Sequence, residues 1–302
     1  MWSGVLICFD YCLASASATS LKRFLFRKKP NTATTTPTNT SIAWKVAERA
    51  HDEGAEIVLT NAPFAIRMGE IDELAKKINS PVIPCDVTNL EDIENLIQKS
   101  MEHFSGKFDF LLHSIGMSPN VRKDIPYDNI NYPNFLKTLD VSALSFHKTL
   151  QTCRNFDAIN EWGSVLALSY IAAQRTLDRY NDMADAKAIL ESIARSFGYI
   201  YGREKFIRIN TISQSPTVTT AGSRIDGFDS LLDFTERMSP LGNASADECA
   251  DYCITLFSDL TKKVTMQNLF HDGGFSSMGM SARAMRQYEK SFKDPLKKDE
   301  EK

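Results

Sequence analysis

From Ser41 onward, short apolar runs alternate with longer stretches whose apolar residues recur every three or four positions. The first pattern suits a strand buried on both faces, the second an amphipathic helix. Strands joined through helices are parallel. Their crossovers are right-handed, so the helices wind onto both faces of one sheet. Ser41 is placed to cap a helix with Ala43, Val46, Ala47 and Ala50 at i, i+3, i+4 and i+7, and Gly54 to end it in the left-handed conformation. Strands are expected at 56–60, 81–85, 108–113, 163–169, 207–213 and 265–272. Thr88 opens a helix bearing Ile93, Leu96, Ile97, Met101 and Phe104, and Gly106 stops it. A long helix near 182–199 aligns Ala186, Leu190, Ile193, Ala194 and Phe197, and another lies near 245–258. The fold class is therefore α/β, a doubly wound parallel sheet forming a single domain over 41–281, followed by a charged tail at 282–302.

Residues 1–40 depart from this rhythm. MWSGVLICFDYCLA is apolar, SASATS small and polar, LKRFLFRKKP basic, and NTATTTPTNT low in complexity. One acid, Asp10, stands beside five Lys and Arg residues. This composition suits a transit peptide, but no positive charge precedes the apolar run as a secretory signal requires. The other reading is an unrelated N-terminal segment joined to the domain. The first, central strand of the sheet comes from VLICF (5–9), from FLF (24–26) or from neither. Its loss would expose the hydrogen-bonding edges of its neighbours.

Composition excludes several classes of function. The net charge of −3 gives no basic surplus for nucleic acid. No run of 18 apolar residues marks a transmembrane helix. The six cysteines form no CxxC pair and the five histidines show no metal spacing, so no metal is expected. Cys249 and Cys253, four apart on one helix face, read as buried thiols in a reducing compartment. The expected location is cytoplasmic, or an organelle if residues 1–40 are a transit peptide.

In such a sheet, ligands bind beyond the carboxyl ends of the strands. Asp86-Val87, Ser114-Ile115-Gly116, Tyr170 and the segment from Gln214 to Thr219 all follow expected strands. Tyr180 and Lys187 are seven apart on the helix that follows Tyr170. At about 100° per residue they diverge by roughly 20° and face one cleft. A lysine ammonium near a tyrosine favours the phenolate and eases proton donation to developing negative charge. Plainer readings stay open: Asp86 capping a turn, Ser114 as a turn residue, HDGGF (271–275) as a tight turn without a ligand, and His113 and His271 as core histidines.

The segment LSYIAAQRTLDRYNDMADAK (168–187) carries Tyr-x6-Lys with an outer tyrosine ten residues upstream. Together with SIAWKVAERA (41–50), CDV (85–87), HSIGM (113–117), RINTISQSPT (208–217), SPLGNAS (239–245) and HDGGF, it resembles the bacterial-type NADH-dependent enoyl-acyl-carrier-protein reductases. These are divergent, Rossmann-like members of the short-chain dehydrogenase/reductase family, whose ordinary members carry Tyr-x3-Lys. The resemblance implies hydride transfer from NADH to the β-carbon of a trans-2-enoyl thioester borne by acyl carrier protein, in fatty-acid elongation. It implies that Tyr180 hydrogen-bonds the enolate oxygen, that Lys187 binds the nicotinamide ribose, and that Tyr170 lines the substrate pocket and assists protonation. Cofactor contacts are implied for Ser41 and Ile42, for the adenine-contacting pair Asp86 and Val87, and for Ser114, Ile115 and Gly116. Pro216, Thr217 and Thr219 correspond to the nicotinamide carboxamide and diphosphate site, and 217–240, with Gly222 and Gly227, to a mobile substrate-binding lid. The resemblance also implies a homotetramer, paired through the Tyr-Lys helix and the one near 140–152.

The pattern departs from the family in two places. No glycine lies between Gly4 and Ser41, where the family has a glycine-bearing phosphate loop. No acid follows the strand at 56–60 to read the ribose, since Thr60-Asn61-Ala62-Pro63 stands there. NADH is thus favoured over NADPH by resemblance alone. A catalytically impaired or non-catalytic relative lacking the phosphate loop is the alternative. A carbonyl reductase is a further reading, against which the Tyr-x6-Lys spacing and Tyr170 argue.

Overall fold

A computed structural model describes residues 5–8, 41–66, 70–217 and 228–292. Seven parallel strands form its sheet: β1 Val5–Cys8, β2 Ile57–Asn61, β3 Val82–Pro84, β4 Phe108–His113, β5 Ile159–Ser169, β6 Arg208–Gln214 and β7 Asn268–His271. Their spatial order is β3-β2-β1-β4-β5-β6-β7. The order reverses direction between β1 and β4, which opens a crevice beyond the carboxyl ends of the strands. β1 occupies the centre, with Val5 paired to Ile57 on one side and to Phe110 on the other. The central strand therefore comes from VLICF, from the N-terminal side of the boundary drawn at residue 41. FLF (24–26) lies outside the described residues.

Side chains alternate faces along a strand, so β2, β4, β5 and β6 supply two cores, with the alternation interrupted once, between Phe108 and Phe110. Val58, Phe108, Leu111, Val165, Ala167 and Ile209 pack on one face. Ile57, Leu59, Phe110, Leu112, Leu166 and Ile212 pack on the other. The first face is covered by helices α4 Leu90–His103, α7 Ser145–Asn155 and α8 Asn181–Lys205. The second is covered by α1 Ile42–Asp52, α3 Glu70–Lys77 and α10 Ala246–Phe257. Shorter helices α2 Pro63–Ile66, α5 Pro119–Arg122 and α6 Tyr132–Leu139, with α9 Phe228–Met238 and α11 Ala282–Phe292, complete the described α-helices.

Several boundaries shift from the sequence reading for local reasons. Ser41 caps α1, accepting from Trp44 N at 3.1 Å, and Gly54 takes φ 85°. The cap of α4 is Asn89 rather than Thr88. The Thr88 hydroxyl is committed to Asp86 Oδ1, at 2.7 Å, while Asn89 Oδ1 accepts from Glu91 N. The left-handed turn that ends α4 falls on Ser105, φ 53°, just ahead of Gly106. β7 begins at Asn268 rather than 265, because Met266 has φ 61° and leaves the extended region. β5 starts earlier than expected, at Ile159, and passes an irregularity opposite Phe108–Phe110. At Gly163 a side chain would come within 2.7 Å of Asp109 O. The segment from 282 opens with α11, whose start is tied to α9 through Ser281 Oγ donating to Arg237 O.

Cys85, Cys153, Cys249 and Cys253 are free and buried. Among the described residues no cluster of potential metal ligands exists, and no helix is long and apolar enough to cross a membrane.

Arg208, at the start of β6, is 2% exposed. Its guanidinium donates to Leu256 O at 2.7 Å, Phe257 O at 3.1 Å, Ser258 O at 3.3 Å and Thr261 Oγ1 at 2.8 Å. These include the orphan carbonyls at the C-terminus of α10, where a cation also meets the negative end of the helix dipole. Arg208→Met fills the space but takes from Phe257 O its donor, and leaves Leu256 O and Ser258 O only the weaker bonds from Ser164, Thr261 or both. It is expected to lower unfolding stability by about 1.5–3 kcal/mol. The urea midpoint checks this, and a shift within error of zero would refute the capping role.

Candidate active site

The carboxyl ends of β4, β5 and β6, the N-terminus of α1 and the start of α8, with α5 and α9, border a cavity of about 720 Å³. Ser41 and Ile42 reach it from α1, and Ser114, Ile115 and Gly116 from the end of β4. Tyr170, Tyr180 and Lys187 line it from the β5–α8 side, and Pro216 and Thr217 from the end of β6. Asp86 and Val87 are not in its wall. Val87 is 1% exposed within the core. The Asp86 carboxylate accepts from Thr88 N at 2.9 Å and from Thr88 Oγ1, closing a turn. Burial pushes that carboxyl up, but the Thr88 bonds and the charges of Lys137 and Lys148 hold it below the usual range. Thr219, Gly222 and Gly227 lie outside the described residues.

Lys187 is buried, and its Nζ donates to Leu168 O at 2.7 Å. That bond fixes the ammonium at the end of β5. A side chain at position 116 would lie 3.8 Å from Lys187 Nζ and 3.6 Å from Met183 Cε, which places Gly116 directly beside the ammonium. Tyr170 is 7% exposed and its hydroxyl has no hydrogen-bond partner. Burial, then the neighbouring Tyr180 and Asp272, push its phenol up. Tyr170 therefore stays protonated and holds an unused donor. Its ring centroid is 5.0 Å from that of Tyr180.

Tyr180 sits at the N-cap of α8 rather than inside it, so helical alignment with Lys187 does not account for their meeting. Tyr180 is set by the chain around it. Arg179 (φ 61°) and Asn181 (φ 44°) flank it in the left-handed region, a backbone strain that persists only when the surroundings hold it. Asn181 Nδ2 donates to Ile125 O. Asp182, fully buried, accepts from Ser118 Oγ at 2.6 Å, Asn120 Nδ2 at 2.8 Å and Thr138 Oγ1 at 2.8 Å. A buried carboxylate needs such donors, and here they lock the start of α8 to α5 and α6. One turn beyond Lys187, Glu191 accepts from Ser169 Oγ at 2.7 Å and Gln174 Nε2 at 3.1 Å, bracing the residues on either side of Tyr170. The sequence reading missed Asp182 and Glu191. Asp182 carried a signal, since an acid four residues before Ala186 and eight before Leu190 lies on the buried stripe.

The two histidines differ. His113 is buried, with Nε2 at 2.9 Å from Ser145 Oγ and Nδ1 without a partner. Ser145 donates to Val141 O, so it accepts from His113, and the proton is assigned to Nε2. His271 joins Gln214, Nδ1 to Oε1 at 2.7 Å. HDGGF is a tight turn with Gly273 at φ 62° and Gly274 at φ 92°. Asp272 accepts there from Gly274 N and Ser276 N.

The arrangement offers two phenols and a fixed ammonium around one cavity. It suits stabilisation of negative charge forming on a substrate oxygen. Comparison with known proteins agrees. A family model described as "Enoyl-(Acyl carrier protein) reductase" matches residues 37–276. "Enoyl-[acyl-carrier-protein] reductase [NADH] 1" of Rhizobium meliloti is 34% identical over 246 residues, 81% of this chain and 89% of that one. The FabI enoyl reductase [NADH] of Salmonella typhimurium is 32% identical, over 80% of this chain and 91% of that one. The crystal structure of a FabI–NADH complex from Alistipes finegoldii has a TM-score of 0.81 and 71% identity, covering 83% of this chain and 88% of that one.

His113 generates a pH prediction. Burial, and then the charge of Lys187, lower its imidazole from 6.5 to about 3. The unfolded chain thus binds the proton more tightly, and stability rises with pH wherever that holds. The contribution is complete above the unfolded value of 6.5 and is lost as pH falls towards about 3. His113→Asn does not titrate, so its unfolding free energy should fall less between pH 6.5 and 4 than that of the natural chain. Parallel urea titrations across that range check it, and parallel slopes would contradict it.

Proposed function

Because the chain belongs to the enoyl-(acyl carrier protein) reductase family, we propose that it reduces the trans-2 double bond of an enoyl thioester, carried on acyl carrier protein, with NADH. The observation that carries the reading is the meeting of Tyr170, Tyr180 and Lys187 around one cavity at the end of the sheet. The cavity also fits the cofactor. It runs from the N-terminus of α1, suited to a phosphate, past Gly116 to Lys187.

When bound, NADH supplies the hydride that reaches the β-carbon of the thioester. Lys187, held at Leu168 O, binds the ribose hydroxyls and adds positive potential. Tyr180 donates a hydrogen bond to the thioester oxygen as it gains enolate charge. That bond strengthens as charge builds, so it lowers the barrier more than it tightens ground-state binding. Tyr170 offers its unused hydroxyl to the same pocket and assists protonation. Ser114, Ile115, Pro216 and Thr217 hold the cofactor along the strand ends, with Ser41 and Ile42 at its phosphate end. Asp86 and Val87, at the end of β3, remain assigned to its adenine end, and Thr219 to its diphosphate. The catalytic unit comprises β1 with residues 41–281, and 282–302 form the C-terminal extension.

Oxidation of NADH in the presence of a crotonyl thioester tests the reading, and its absence would overturn it. Tyr180→Phe should lower turnover by about 10²–10³-fold while NADH binding holds. Lys187→Ala should impair both together, since it touches cofactor and tyrosine. A Tyr180→Phe enzyme near natural turnover, or an unchanged NADH dissociation constant for Lys187→Ala, would remove that residue from its role.

A homotetramer paired through α7 and α8 is part of the same proposal. Tyr199 on α8 is 63% exposed, and Leu144, just before α7, is 42% exposed, as apolar surface awaiting a partner would be. Light scattering should give about four times the mass of the chain, and a stable monomer would exclude it.

A further inference from the structure

Gln214 and HDGGF have no part in the mechanism above, yet they meet at the edge of the cavity. β6 and β7 end side by side, with Gln214 and His271 in register. Gln214 is 4% exposed. Its Nε2 donates to Thr217 Oγ1 at 3.1 Å and to Ala244 O at 3.3 Å. Ala244 O accepts only, so the amide nitrogen must face it and Oε1 must face His271. The imidazole then carries its proton on Nδ1 and donates it to Gln214 Oε1, at 2.7 Å. Tyr252 stacks on the imidazole with centroids 5.0 Å apart.

The remaining bonds of this knot run to one short segment. Thr217 Oγ1, having accepted from Gln214, lies 3.2 Å from Ala244 O and 3.0 Å from Ser215 O, to either of which it donates. Ala244 N donates to Ser215 Oγ at 2.8 Å. Ala244, beyond α9, is thus bonded to both Ser215 and Thr217. The HDGGF turn closes the knot from below. Leu241 N donates to Gly273 O, and a side chain at position 273 would meet Gly242 O at 1.9 Å. Only glycine permits that approach.

We propose that Gln214 and His271 are positioning residues for the nicotinamide end of the cofactor. Acting through Thr217, they fix the edge at residues 215–217 against which the carboxamide lies. The inference rests on the proposed function, which assigns that end of the cofactor to Pro216 and Thr217. The Thr217 hydroxyl is spent within the knot, so the placement of the edge decides the fit. Discrimination for the carboxamide is the property the knot protects.

The test measures dissociation constants for NAD⁺ and for its 3-acetylpyridine analogue, in which a methyl replaces the carboxamide nitrogen. Gln214→Met keeps the length of the side chain and loses its polar atoms. It should weaken NAD⁺ by about tenfold and the analogue by less than about twofold, the loss of a bond or so to the carboxamide. The KM for a crotonyl thioester should hold within about twofold. His271→Leu should behave alike, whereas His271→Asn, whose amide nitrogen replaces Nδ1–H, should restore discrimination. Equal weakening of both dinucleotides, a thioester KM that rises in step, or no change at all would each overturn the positioning role. An unmodified protein that binds neither dinucleotide would overturn the proposed function along with it, an outcome distinct from these three.

Discussion

Val5–Cys8 bonds on one side to β2 and on the other to β4, and the arrangement of the site follows from that pairing. Without it, two buried strands would each present an unpaired edge. β2 and β3 would also be severed from the other four strands. With it in place, the strand order turns at β1 and β4, and a crevice opens beyond the carboxyl end of the sheet at that turn. The cavity lies in that opening. The N-terminus of α1 reaches it from one side, and β4, β5 and α8 from the other.

Within the opening, precision comes from buried polar groups rather than from apolar packing. Lys187 is pinned to Leu168 O, Asp182 gathers three donors, and Glu191 spans Ser169 and Gln174. Each is a charge or hydrogen-bonding group removed from water, which is tolerable only when its partners are supplied by the fold. Apolar contacts hold helices against the sheet but leave side chains some choice of rotamer. The directional bonds around α8 leave little, and they set where Tyr170 and Tyr180 stand. Among the described residues, the Tyr170 hydroxyl is the one unpartnered buried side-chain group in the cavity wall.

The wall at the end of β6 is built on the same principle. Three side chains, Gln214, Ser215 and Thr217, converge on the Ala244 carbonyl. The knot joins two points of the chain that are distant in sequence, and the Gly273 approach ties in a third. HDGGF therefore matters as a turn, through its conformation and lack of a side chain, rather than as a ligand.

What the sequence determined by itself was local and periodic. The 3.6-residue stripes of α1, α4 and α8 and the apolar runs of β2 to β6 follow from which side chains fall on one face, information carried within a dozen residues. The order of motifs after each strand placed Ser114, Tyr170, Lys187 and Thr217 at one end of the sheet, since parallel strands bring their carboxyl ends together. Tertiary structure decided the rest. VLICF and FLF are both short apolar runs, and only pairing with β2 and β4 distinguishes a central strand, because pairing joins residues remote in sequence. Thr88 and Asn89 are equally good caps locally, and Asp86 settles the choice by engaging Thr88. Tyr180 joins Lys187 in the cavity wall from outside the helix, through strained neighbours and a buried carboxylate, neither visible in a seven-residue spacing. The proton on His271 and the orientation of Gln214 exist only where β6, β7 and the Ala244 carbonyl come together. A hydrogen bond is assigned by its partners, and here the partners come from three separate stretches of chain.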